Sequence, residues 1–103
     1  TPILAKTIFN QKEEEYYVLF YNFSDEDESN LASSVSNGLS GSAIYNVDTN
    51  SGLNSNYVSE ESNKNAKTIN ELKVKSPTLI LISADSISKY IEGETEIETY
   101  LKN

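Results

Sequence analysis

The side chains that could do chemistry in this chain are almost all carboxylates. Sixteen of its 103 residues are Asp or Glu and eight are Lys, while Cys, His and Arg are absent. Without cysteine the chain forms no disulfide, thiolate metal site or thiol nucleophile of its own. Without histidine there is no imidazole for a Ser-His-Asp arrangement or a histidine zinc site. The acids are concentrated: "FYNFSDEDESN" (20–30) drops from an apolar run into four in a row, Asp25 to Glu28. Such a block could move protons, hold a cation or form a charged recognition patch. Consecutive helical residues point in different directions, which disfavours a shared cation, and nothing nearby suggests a partner for acid–base work. A structural reading stands beside recognition, since acids in a first helical turn complement the helix dipole. "DTNSG" (48–52) looks like the start of a calcium loop. Its glycine, however, falls one place early, and the closing twelfth position is Ser59 instead of glutamate.

The acidity is lopsided. Ten acids and two lysines lie in residues 1–61, and six of each in 62–103, so the net charge of −8 resides in the first part. That sign serves solubility and opposes nucleic acid and anionic lipid as partners. No apolar run approaches the ~18 residues of a membrane span, so insertion of this fragment is not expected. The chain starts at Thr1 without methionine, leaving room for a leader or anchor removed beforehand. Its length suits one domain with one core. The core is placed at 16–103, with 1–15, including "ILAKTIF" and "NQKEEE", as an N-terminal extension.

The elements that must position the acid block can be read in order. "YYVLFYNF" (16–23) is aromatic and β-branched with almost no polar break, the pattern of a strand buried on both faces. Ser24 then offers a helix N-cap, with Asp27 three residues on as in a capping box. Leu31, Ala32, Val35 and Leu39 supply the apolar stripe, and Gly38 and Gly41 mark the end. "SAIYNVD" (42–48) alternates as a second strand. A polar loop follows with a helical turn near Asn54 to Val58, then a short helix in "NAKTINELKV" carrying Ile69 and Leu72. "SPTLILIS" and "SISKYIEG" flank "AD" as a β-hairpin. In "ETEIETYLKN", Thr95 and Glu98 form a second capping box before a last helix. The order strand, helix, strand, helix, hairpin, helix gives an α/β fold, a mixed central sheet flanked by helices on both faces.

Residues 72–103, "LKVKSPTLILISADSISKYIEGETEIETYLKN", closely resemble the C-terminal half of thioredoxins: a Pro-Thr-Leu strand, a partner strand, a glycine and a closing helix. "YYVLFYNF" and "AIYNVDTN" match the family's two parallel strands. In "YYVLFY" and "KYIEGETEIETYL" the chain is similar to extracytoplasmic thioredoxin-like proteins of low-GC Gram-positive bacteria, which include bacteriocin-transport accessory proteins. The resemblance spans about residues 16–103 and implies a thioredoxin-like fold. In that family the turn after the first central strand carries Cys-x-x-Cys, and those positions fall here on Asp25 and Glu28. The family's buried acid falls on Leu19. A carboxylate suits a helix N-terminus but cannot exchange with a disulfide, so a redox-inactive domain, not an enzyme, is expected.

What the resemblance leaves is the substrate groove. It implies a cis Ser76–Pro77 bond and a face lined by Phe23, Ser24, Asp25, Glu28, Ser76 and Pro77 that pairs with an extended peptide. An acidic groove favours a basic segment of a partner protein. No cofactor or metal is expected. Two alternatives stay open: an accessory subunit of a thiol-disulfide system that uses a partner's cysteine, and a structural domain with no groove function.

Overall fold

A computed structural model describes residues 2–103. The aromatic run forms β1 (Glu15–Tyr21), buried from Tyr16 through Phe20. Tyr16, Val18 and Phe20 enter one core cluster, and Tyr17 and Leu19 enter the other. A strand covered on both sides has no water-facing row, which is why the run carries no polar alternation. The chain leaves β1 through α1 (Glu26–Gly38) and returns as β2 (Ile44–Asp48), parallel to β1 with Val18 opposite Tyr45 and Tyr21 opposite Asp48. β3 (Thr78–Ser83) pairs antiparallel with the other side of β1, and β4 (Ser86–Glu92) with β3. The sheet order is β2-β1-β3-β4. Ala84 and Asp85 join the hairpin with φ values of 50° and 65°, the positive pair that a two-residue primed turn requires. α2 (Glu94–Leu101) ends the chain.

Helices flank both faces of this sheet, but of unequal kinds. Leu31 and Val35 of α1 and Ile97 of α2 cover Tyr17, Leu19, Leu79 and Leu81. The opposite face is covered by 3-10 turns, Ala5–Thr7, Gly52–Tyr57 and Ile69–Glu71, and by the segments around them. The helical turn expected near residues 54–58 is thus present, running from Gly52 to Tyr57. The helix expected in "NAKTINELKV" shrinks to the single turn Ile69–Glu71. Its C-terminal part is claimed by tertiary pairing: the Val74 N–H donates to the Tyr57 carbonyl at 2.8 Å, and the Val74 carbonyl accepts from Ser59 N–H at 2.9 Å. The extended backbone this requires suits the β-branched Val74. The N-terminal segment, read as an extension, places Ala5 and Ile8 at 0% exposure within the same core cluster.

Both expected helix starts shift. Asp25, not Ser24, caps α1: its backbone is extended and its Oδ1 accepts from Glu28 N–H at 3.0 Å. Asn22 Oδ1 accepts from Ser24 N–H at 2.8 Å, and this tight turn delays the helix by one residue. α2 starts from Gly93 without a side-chain cap, so Thr95 lies inside the first turn instead of forming a capping box. Gly93 has φ 95° and ψ 150°, backbone that only glycine adopts without strain. Its N–H donates to the Pro77 carbonyl at 2.9 Å and its carbonyl accepts from Ile97 N–H at 3.0 Å. Among the described residues, no helix is long and apolar enough to cross a membrane.

Candidate functional site

The acid block, the end of β2 and the segment before β3 meet at one end of the sheet. β1 delivers Tyr21 to the C-terminal end of the parallel pair, opposite Asp48, so the turn 22–25 and residues 49–50 emerge together. β3 runs antiparallel and begins there, which brings Ser76 and Pro77 to the same end. Ligand sites of sheets containing parallel strands gather at such carboxyl ends.

Glu28 is the hinge of this arrangement. One turn into α1 and half-buried, its Oε1 accepts from the Asn22 backbone N–H at 2.8 Å and from the Ser76 hydroxyl at 2.5 Å. Ser76 Oγ in turn accepts from the Thr49 hydroxyl at 3.0 Å. A run of three side chains therefore ties the end of β2, the segment before β3 and the start of α1. Hydrogen bonds to a carboxylate contribute about 1.5–3 kcal/mol when well formed. The Ser76–Pro77 peptide bond is cis. Among the described residues, the Ser76 N–H and carbonyl take no part in the strand ladders or in the backbone bonds of turns and loops.

On the other side of the turn, Asp48 Oδ1 accepts from Phe23 N–H at 3.2 Å and from Asn50 N–H at 2.9 Å. The Phe23 ring lies over Tyr21, with centroids 4.6 Å apart. Burial raises the Tyr21 hydroxyl above the ordinary phenol value, and the Asp48 charge adds to it. Asp25, Glu26 and Asp27 are exposed at the positive end of the α1 dipole. The cation nearest in sequence to the site, Lys75, turns its Nζ to Glu60 at 3.6 Å. The acids of the turn thus have no cation paired with them among the described residues.

Of the six residues singled out in the sequence, Glu28 and Ser76 are joined directly, and Pro77 follows on the same segment. Phe23 belongs to the Asp48 side, while Ser24 and Asp25 serve the turn and the helix cap. Sequence reasoning missed Asn22, Asp48 and Thr49, which complete the network. Asp48 and Thr49 stood in the sequence only as the end of β2 and the start of "DTNSG", and Asn22 as the end of the aromatic run. Leu19, which the resemblance sets against the buried acid of thioredoxins, is fully buried in the cluster beneath α1.

A likeness to solved structures gives this arrangement its frame. The chain superposes on a thioredoxin f2 from Chlamydomonas reinhardtii with a TM-score of 0.60 and 14% identity, over 98% of this chain and 89% of that one. No family model matches the chain, and no curated protein sequence matches it. Identity this low carries the fold alone: the chain has an α/β, thioredoxin-like fold.

Proposed function

We propose that this chain is a redox-inactive thioredoxin-like domain that binds an extended, basic segment of another protein across the Ser76–Pro77 face. One observation carries this reading. Carboxylates, Asp25 and Glu28, stand at the two positions that the resemblance assigns to the family's cysteines. Glu28 is engaged by Asn22 and Ser76, whereas the Ser76 backbone is left without a partner among the described residues. Disulfide exchange proceeds by thiolate attack, and the chain contains no cysteine. A backbone N–H and carbonyl free to pair with an extended chain is the basis of strand-addition recognition. The unpaired acids 25–27 beside it favour lysine or arginine in the ligand. The likeness of "YYVLFY" and "KYIEGETEIETYL" to extracytoplasmic thioredoxin-like proteins of low-GC Gram-positive bacteria supports an extracytoplasmic setting.

The test is selection of a random peptide library on the natural domain and on Ser76→Arg, which fills the face with a bulky cation. Peptides rich in lysine or arginine should be enriched on the natural domain and lost on the variant. Their binding should shift the amide signals of residues 22–28, 49 and 76. Peptides retained equally by both proteins would place the interface elsewhere, most simply on the acid run. Ligands that bind only through their own cysteine would favour a role as accessory to thiol exchange.

A further inference from the structure

Beside the Ser76 face lies a small pocket of about 260 Å³, walled by Pro2, Ile3, Leu4 and Phe23. Its volume is below the ~300–1,000 Å³ of small-molecule sites and suits one side chain. The other lining residues are polar, and part of their hydrogen-bonding capacity is used within the protein. Asn54 Oδ1 accepts from Ala5 N–H and its amide donates to the Asp48 carbonyl, each at 2.9 Å. Ser51 Oγ accepts from Leu53 N–H at 3.3 Å. Asp48 Oδ1 already serves Phe23 and Asn50. What the pocket has left to offer a ligand is chiefly apolar surface.

Two further observations mark this pocket. Its wall is fixed: Ile3 N–H donates to the Asn46 carbonyl at 2.8 Å, Pro2 bridges Asn46, and Ala5 is fully buried. The exposed large hydrophobic side chains among the described residues are Leu4, at 36%, and Leu53, at 77%. Leu4 lines the pocket, and Leu53 sits between Ser51 and Asn54, which also line it. One exposed leucine thus lines the pocket, and the other is a sequence neighbour of its lining residues. The pocket also adjoins the proposed face. Asp48 lines it while the next residue, Thr49, touches Ser76, and Phe23 lines it two residues before Asp25.

We infer that this pocket seats an apolar side chain of the same extended segment, next to the lysine or arginine that meets Asp25 to Asp27. The inference rests on the reading of the Ser76 face given above, and it narrows the ligand from a basic segment to a mixed apolar and basic one. Charge complementarity with the acids, which have no paired cation among the described residues, sets the basic half, and the walls formed by Pro2, Ile3, Leu4 and Phe23 set the apolar half.

The peptides selected above provide the test, with Leu4→Asp as the pocket variant and Asn37→Asp, exposed on α1, adding the same charge elsewhere. Electrostatics alone would make Leu4→Asp tighten a basic ligand, so the sign of the change is informative. Selected peptides should pair an apolar residue with a basic one and weaken by roughly tenfold or more on Leu4→Asp, with Asn37→Asp unchanged or slightly tighter. Replacing the peptide's apolar residue by serine should give the same loss on the unaltered protein, which covers the case of a poorly folded variant. Basic peptides without an apolar residue, insensitive to both changes but lost on Ser76→Arg, would overturn the pocket and leave the face standing. Peptides insensitive to Ser76→Arg, or no enrichment at all, would overturn both.

Discussion

At the residue scale, the turn shows how one cap position redistributes several roles. Asp25 takes the cap, and Glu28 reaches past it to the Asn22 N–H and the Ser76 hydroxyl. Asp25→Ala should therefore cost about 0.5–2 kcal/mol in urea unfolding, whereas Ser24→Ala should be close to neutral. Equal losses would return the cap to Ser24. Glu28→Ala should cost about 1–3 kcal/mol by leaving two donors without their acceptor, and Glu28→Gln, which keeps an acceptor oxygen, should cost less. On the opposite side of α1's core, burial pushes the Tyr17 hydroxyl up to about 12, and the Tyr100 hydroxyl 2.5 Å away adds to the rise. The folded state thus holds this proton more tightly than the unfolded chain, where a phenol titrates near ~10. The associated stability is present in full below pH ~10 and is lost as pH climbs toward 12. Denaturant midpoints measured across that window should fall, and Tyr17→Phe should flatten the fall.

At the element scale, the β3–β4 hairpin forms around a turn that its residues only tolerate. Ser83 pairs with Ser86, leaving Ala84 and Asp85 both at positive φ. Non-glycine residues in this region cost roughly 1–2 kcal/mol. Asp85→Gly should raise stability by about 0.5–1 kcal/mol, a gain read as a higher melting temperature. A loss would mean that Asp85 makes a compensating contact. α2 shows the converse, because Gly93 holds a conformation closed to other residues while linking Pro77 to the helix. The hairpin itself was legible from two β runs two residues apart. The short helix expected over 65–74 is not formed beyond the turn Ile69–Glu71, since Val74 at its end pairs in extended form with Tyr57 and Ser59.

At the scale of the whole molecule, the sheet's second face depends on segments without α-helix. Ile8 is fully buried there, its carbonyl accepting from the Tyr16 hydroxyl at 2.6 Å, and Ala5 is held by Asn54. Ile8→Ala should destabilise by about 2–5 kcal/mol, the cost of a core residue, when measured by denaturant unfolding. A change within a few tenths of a kcal/mol would show that residues 2–9 fold apart from the rest.

What the sequence determined by itself was whatever local pattern and residue type dictate. β1 announces itself as a buried strand because a strand covered on both faces carries an apolar run without alternation. That the chain carries no thiol of its own follows from residue type alone. The tertiary structure alone decided which carboxylate caps α1 and which polar groups meet Glu28. It also decided that "ILAKTIF" walls a pocket beside the acid turn. Those outcomes depend on contacts between residues such as Glu28 and Ser76, 48 positions apart. Only the closing of the sheet brings such residues together, and no periodicity within a single segment encodes it.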